Sequence, residues 1–386
     1  MGSDPEQEYF VDGLTESLTT DLSRIRGSYV IARNTAFTYK GKHVDLKKIG
    51  RELNVRYVLE GSLQRGGNRM RVNIQLIDAE TGSHLWAERF DKPLADLFDM
   101  QDEIIARLAG TLNAQLVAAE ARRTERTPNP DSMDLFFQGL SWFNRGLAPS
   151  NVMQALAYFE RALAIDPDNV DALGWNAVAY AALTGGFAVE DRAALLAAAE
   201  AAATKALSLA PEHALSHLAM SLVFGFTNRL VMAIAECERT LALDRNLAMA
   251  HAVIGLHKLH LDQGAETEVH VQEALRLSPR DTWVFLWLAI AGYAKDFLGG
   301  YEEAIRWQQR SIQANGNYPI SHFHLAAALS HLGRLQEARA AAKAGLALEP
   351  RFTLAGFRAV KYSDSPAHLA WRERLVDGMR KAGLPE

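Results

Sequence analysis

ALAYFERALAIDPDN, residues 155–169, carries a skeleton, A-x3-F-x2-A-x4-P, that returns along the chain. The copies begin with Ala155, Phe159, Ala162 and Pro167, then Ala199, Ala203, Ala206 and Pro211, then Ala233, Cys237 and Thr240 with Arg245 in the proline slot. Thr267, Val271, Ala274 and Pro279 follow, then Ala304, Gln308 and Ser311 with Gly316 in the proline slot, and last Ala338, Ala342, Gly345 and Pro350. First slots lie 44, 34, 34, 37 and 34 residues apart, so a 34-residue period carries insertions of 10 and 3. Small residues let two antiparallel helices approach closely, an aromatic or apolar residue fills the gap, and proline ends the second helix. One such hairpin cannot bury its apolar face alone, but stacked hairpins can.

The spacing and slot residues resemble the tetratricopeptide repeat at six copies. The resemblance implies an all-α solenoid whose first helices present positions 2, 5, 9 and 12 to a partner. On that pattern the groove residues are Leu215, Leu218, Leu222, Met249, Leu256, Trp283, Leu286, Ile290, Tyr293 and Phe323. This stripe is apolar and lacks the Lys, Arg and Asn with which chaperone-type members clamp a C-terminal carboxylate. It suits an amphipathic helix or apolar peptide, with Trp283, Tyr293 and Phe323 as anchors. The competing reading is a stripe buried by tight coiling or by the chain's own terminal helix. Residues 366–381 put Leu369, Arg372, Leu375, Val376 and Met379 on one side, as a cap for the last repeat.

At 386 residues the chain is long for one compact domain, and 48% hydrophobic with 23% charged residues is a globular composition. A net charge of -5 gives no general argument for nucleic acid or an anionic membrane. Cys237 is the one cysteine and falls in a repeat slot, which reads as packing. No stretch reaches the roughly 18 apolar residues of a membrane helix and no leader opens the chain, so a cytoplasmic location is expected.

Before the repeats the periodicity is mixed. Residues 11–25 read as an amphipathic helix and 29–32 as a short extended run. Asp45 can cap a helix through Leu53, with Asn54 at its left-handed end. Residues 56–63 and 70–77 flank Gly66-Gly67-Asn68 as a hairpin, 84–90 form a third strand, and 94–123 return to helical spacing. Pro128-Asn129-Pro130 breaks that helix. The expected organisation is an α+β domain over 1–127, six helical hairpins over 128–352 and capping helices over 353–386.

DPEQEYFVDGLTESL (4–18), YVIARNTAFTYKGKHVDLKKIGRELNVRYVLEGSLQRGGNRMRV (29–72) and QLIDAETGSHLWAERFD (75–91) resemble the TolB-like domain that precedes tetratricopeptide repeats in bacterial regulators. LVDGMRKAGLPE (375–386) is similar to the usual end of such proteins. The resemblance implies an upstream effector, a class III adenylate or guanylate cyclase or a winged-helix DNA-binding domain. Relatives carry a short apolar strand before the segment equivalent to residues 2–10, so this chain is expected to lack the domain's first strand and to be truncated. Met1 then reads as an internal methionine, or Met-Gly-Ser as an artificial leader. A sheet without that strand exposes an unpaired edge.

Charge in the first domain is segregated. Twelve Lys and Arg against three acids between Arg24 and Arg71 leave +9, and eight acids against two bases between Asp78 and Glu103 leave -6. Two mutually neutralising solvated faces is the plain reading, and a docking face for an upstream domain is the sharper one. LKKIGRELNVRYVL (46–59) has the look of a helix-turn-helix, but residues from 55 alternate as a strand where a recognition helix is needed. Gly66-Gly67 lacks phosphate-loop spacing. His213 and His217 have the i, i+4 spacing of a zinc pair without the glutamate or a third ligand, and His217, His251 and His322 recur at one repeat position, which points to interhelical hydrogen bonding.

The reading is a non-catalytic protein- or peptide-binding scaffold with no cofactor, metal or catalytic residue, regulating an upstream effector such as a class III adenylate cyclase. The alternative is the sensing portion of a winged-helix transcription regulator, and a metal-dependent enzyme built on the histidines is the third. The expected partners are an amphipathic or apolar peptide or protein and the upstream domain, without direct nucleic-acid or membrane contact, and a homodimer stays open.

Overall fold

The computed structural model describes residues 44–66, 68–93, 116–122, 130–185, 191–279 and 281–386, with single residues between 15 and 42. The helix expected over 11–25 and the extended run at 29–32 lie largely outside the described residues. So does most of the helix expected over 94–123, of which 116–122 are helical. The chain divides into two compact units, Met1–Ala119 and Glu120–Glu386.

In the first unit α1 spans Leu46–Leu53. Asp45 caps it by accepting from the Lys47 amide at 3.0 Å, and Asn54 closes it in the left-handed region at φ 52. Three antiparallel strands follow in the order β1 (Tyr57–Gly66), β2 (Arg69–Asp78) and β3 (His84–Pro93). Gly66 pairs with Arg69, so the hairpin turns over two residues. On β2 the alternate residues Met70, Val72, Ile74 and Leu76 are buried, and Trp86 and Phe90 of β3 are buried with them. The opposite face is charged. Arg69 and Arg71 both reach Asp91, at 2.7 and 2.8 Å, so part of the basic segment is neutralised by the acidic one within the sheet.

The second unit is helical throughout its described residues. Six antiparallel pairs run α2 (Ser132–Phe143) with α3 (Pro149–Ile165), α4 (Val170–Thr184) with α5 (Arg192–Leu209), α6 (Ala214–Phe226) with α7 (Leu230–Leu243), α8 (Ala248–His260) with α9 (Gly264–Leu277), α10 (Val284–Phe297) with α11 (Tyr301–Ala314), and α12 (Pro319–His331) with α13 (Leu335–Leu348). Each helix packs on its hairpin partner and on the next pair, and α14 (Leu354–Ala359) and α15 (Pro366–Lys381) close the chain. The architecture is therefore a small antiparallel sheet followed by a tetratricopeptide-like solenoid.

The repeat slots are the seams of this stack. All the helix slots, from Ala155, Phe159 and Ala162 to Ala338, Ala342 and Gly345, are buried. Bulk on one helix is matched by its absence on the other. Phe159 lies against Gly139, where an added Cβ would sit 2.6 Å from the ring, and in the last pair the order reverses, with Phe323 against Gly345 at 2.4 Å. Where the slot is polar, its side chain donates to a carbonyl of the first helix. Thr240 reaches Ala214 O at 3.2 Å, Thr267 reaches Gly255 O at 2.9 Å, Gln308 reaches Ala289 O at 3.2 Å and Ser311 reaches Phe285 O at 2.6 Å. Departures from the Ala/Phe pattern thus find a carbonyl for their donor in the seam, although Gln308 Oε1 is left without a partner.

Gly139→Ala should destabilise the second unit by about 1–3 kcal/mol through overpacking. Phe159→Ala should cost about 3–5 kcal/mol through the cavity it leaves. Phe159→Leu should recover part of the Gly139→Ala loss in the double variant, a non-additivity read from denaturant midpoints in a double-mutant cycle.

Candidate functional site

The first helices of the last four pairs end alike. Arg229 N donates to Phe224 O at 2.8 Å, Gln263 N to Lys258 O at 2.8 Å, Gly300 N to Lys295 O at 2.8 Å and Arg334 N to Leu329 O at 2.9 Å. Each is the six-to-one bond of a helix end that needs a left-handed residue just before the donor. Glycine supplies it at Gly299 (φ 80) and Gly333 (φ 75), but Asn228 (φ 59) and Asp262 (φ 64) stand there in the other two. The last residues of these helices are Phe226, His260, Phe297 and His331, which form a row across four repeats.

The chain's own C-terminal segment lies along that row. Tyr362 meets Phe226 with ring centroids 5.8 Å apart and stacks on His260 at 5.1 Å. Asn228 Nδ2 donates to Asp364 Oδ2 at 2.7 Å, and the Ser365 hydroxyl donates to Asp262 Oδ2. His368 packs edge-on to His260 at 5.1 Å. Trp371 Nε1 donates to Asp296 Oδ2 at 2.6 Å, and its ring meets Phe297 at 5.8 Å. Arg374 Nη2 donates to Phe297 O at 3.1 Å, and its carbonyl accepts from His331 Nε2 at 2.9 Å. The segment therefore crosses α6, α8, α10 and α12 in sequence order, first as a short extended stretch and then as the helix α15.

The buried face of α15 is His368, Trp371, Arg372, Leu375, Val376 and Met379. That is the periodicity of a one-sided helix. Leu369, expected on this face, is 36% exposed, and Trp371 takes the inward place two residues later. Phe357 of α14 packs against Phe352 and His324, and Arg372 lies 4.4 Å over the Phe357 ring while donating to its carbonyl.

Of the expected groove residues, Leu218, Trp283, Ile290, Tyr293 and Phe323 are buried, and Leu215, Leu222, Met249, Leu256 and Leu286 are half-buried. Leu218 belongs to the seam with Cys237, Ala250, Val253 and Ile254. Trp283 stands at the N-cap of α10 against Phe143 at 4.9 Å, and Phe323 stacks on Phe352 at 4.0 Å. Tyr293 lies 4.1 Å from His324, and its hydroxyl is 3.4 Å from that of Tyr318. The three-residue insertion precedes α10, so its inner stripe counted back from Ala304 is Leu286, Ala289, Tyr293 and Asp296. Counting forward placed Trp283 and Ile290 in that stripe and passed over Asp296, the buried carboxylate at the centre of the row.

Other candidates are dispersed. His213 bonds Ser216 and faces Asp171, while His217 turns to Glu236 and to Pro211 O, so the pair does not converge. His322 Nε2 donates to Gly316 O at 3.1 Å, the same six-residue reach that His217 makes to Pro211 O. Among the described residues no group of three His, Cys, Asp or Glu could hold a metal ion, and no helix is long and apolar enough to cross a membrane. Burial pushes the Cys237 thiol up to about 12, which leaves it unreactive at neutral pH.

The row holds titratable groups with few partners. Burial lowers His257 to about 4, and burial with the Arg372 charge lowers His324 to about 3 and His368 to about 4. His260 is lowered well below the usual value by burial and by His368 beside it. Burial raises Asp296 to about 6, with the Trp371 bond opposing. Asp296 Oδ1, His257 Nδ1, His260 Nδ1, His324 Nδ1 and both nitrogens of His368 have no hydrogen-bond partner.

A stack of helical hairpins around a groove defines a tetratricopeptide-like repeat protein. Similar solved structures include the APC/C hetero-tetramer Cut9-Hcn1, at TM-score 0.50 and 18% identity over 69% of this chain and 49% of that one. The human IFIT1 dimer with m7Gppp-AAAA is similar at TM-score 0.51 and 15% identity, over 67% and 61%. A family model described as HilA/YgeH-like transcriptional regulator, second domain, matches residues 4–108. A Rhizobium meliloti (strain 1021) protein named "Putative adenylate cyclase 3" is 47% identical over 169 residues, which is 43% of this chain and 29% of that protein. The chain thus spans under a third of that relative's length at the match.

Neutral burial of these histidines stabilises the fold above their ordinary value near 6.5, and this contribution is lost as pH falls towards 4. Asp296 runs the other way between 3.8 and about 6, because its folded value is raised. Each group contributes up to about 1.4 kcal/mol per pH unit, and the histidines outnumber the carboxylate. The melting temperature of the second unit should therefore fall from pH 7 to pH 5, and His368→Gln should flatten that slope.

Proposed function

We propose that this chain is a non-catalytic regulatory scaffold that binds a protein or peptide through its helical repeats and acts on an effector domain in the same polypeptide. The observation that carries the reading is the continuous stack of six hairpins, with the C-terminal segment lying along the ends of the last four first helices. An extended groove built from repeats recognises a linear segment one repeat at a time, and its side chains here are anchors for packing, not an acid–base pair around a substrate cavity. The 47% identity to the Rhizobium protein named "Putative adenylate cyclase 3" supports a nucleotide cyclase as that effector, of class III on this reading. On this reading residues 1–127 link effector to solenoid as a TolB-like α+β domain, 128–352 form the binding repeats and 353–386 cap them.

A second reading has one observation in its favour. The family model over residues 4–108 is that of a transcriptional regulator, which supports a winged-helix DNA-binding domain as the effector.

Reading the genomic frame upstream of Met1 and assaying the encoded polypeptide with and without residues 128–386 separates the two. A cyclase segment whose nucleotide turnover changes at least fivefold on removing the repeats is the expected result. A DNA-binding segment upstream would move the assignment to the second reading, and a cyclase indifferent to the repeats would overturn regulation.

A further inference from the structure

We propose that residues 360–378 are a built-in stand-in for the true ligand of the groove, and that this ligand is a basic amphipathic helix bearing an aromatic side chain. This names the partner class of the scaffold proposed above and rests on that reading.

The first argument is where the segment is held. The turn after each first helix needs only a left-handed residue, which glycine adopts without cost and a residue with a Cβ does not. The repeats ending at Gly299 and Gly333 use glycine, whereas Asn228 and Asp262 stand at the two turns whose side chains grip Asp364 and Ser365. At those two turns the residue that takes the left-handed conformation also supplies the side chain that holds the segment, which the glycine turns cannot do.

The second argument is what the segment leaves undone. A terminal cap that had become part of the core would satisfy the polar groups it covers. Here Asp296 Oδ1, His260 Nδ1 and His324 Nδ1 on the repeats lie buried without partners under the segment, alongside both nitrogens of the segment's own His368. The stack beyond it also holds unpaired Asn176 Nδ2, Trp287 Nε1 and Gln308 Oε1, but no other unpaired buried carboxylate oxygen is found among the described residues. Asp296 is 3% exposed and receives one indole N–H where a carboxylate can accept a two-pronged guanidinium.

These gaps, with the charge of the row, specify the ligand. Four helix C-termini converge on it with their negative dipole ends, beside Asp262 and Asp296. The segment answers with Trp371, which donates to Asp296, and with Arg374, which donates to the Phe297 carbonyl that closes α10. A partner helix with an arginine opposite Asp296 and an aromatic residue between Phe297 and His324 would keep the packing and pair the free carboxylate oxygen. Its arrival would expel α15, so the groove is shut until such a helix competes for it.

The full-length chain carrying Trp371→Ala and Arg374→Ala, titrated by fluorescence anisotropy with a fluorescein-labelled peptide of residues 360–384, tests this. Binding at least tenfold tighter than to the unsubstituted chain is expected. Affinity should drop at least fivefold when Asp296→Asn is added or when the peptide's arginines and lysines are replaced by glutamate. Equal affinity for both proteins, or indifference to those charge changes, would overturn the proposal. So would a stable dimer in light scattering, because a second copy's terminal helix would then be the occupant. Should the substituted chain not fold, hydrogen exchange on the unsubstituted chain decides: α15 amides exchanging at least tenfold faster than those of α12 support a seated ligand, and equal rates mean an integral cap. No cyclase is assayed here, so failure leaves the regulatory reading to its own experiment.

Discussion

The close approach of the two helices in each hairpin is the constraint from which this protein's second unit is built. Phe159 fits because Gly139 has no side chain, and Phe323 fits because Gly345 has none. Ser311, Thr267 and Gln308, the last packed over Gly292, reach a carbonyl across the seam, so a polar residue can occupy a position from which water is excluded. Hairpins made this way leave one apolar flank each, and stacking is the way to cover it. The groove is the by-product of that stacking, a line where the ends of successive first helices meet.

Periodicity made the seams legible because the same small and large residues return at one spacing, and every helix slot read from the 34-residue period is buried, while the proline slots that end the hairpins are not. Strand register in the first unit was legible for a similar reason, since Gly66-Gly67-Asn68 fixes the hairpin and alternation fixes its faces. The groove was harder to read. An insertion between repeats shifts the count by three, so a count from the preceding repeat reaches Trp283 in α10's stripe and a count back from Ala304 reaches Asp296. Burial of Leu218 and Phe323 likewise depends on which neighbouring element lies over them, and that is a property of the folded stack. One local signal did exist, the Asn and Asp standing where sister repeats have glycine, and its meaning depends on Asp364 and Ser365 more than a hundred positions away.

The two units draw on different relatives. Residues 4–108 match a regulator's second domain, and the solenoid matches repeat proteins at identities that speak for fold alone. The fold alone does not assign a function. Along the C-terminal segment the stack brings together aromatic rings, helix C-termini and a buried carboxylate.

A linear repeat array is held together by nearest-neighbour contacts and can unzip from either end. The terminal segment changes that rule by joining Asn228 to Asp364, Asp262 to Ser365 and Asp296 to Trp371, across 136, 103 and 75 positions. While it is seated, four hairpins are lashed into a closed circuit that must open as a block. The same strand of chain that occupies the groove thus converts a spring into a clasp, and elasticity would return to the solenoid at the moment the clasp is undone.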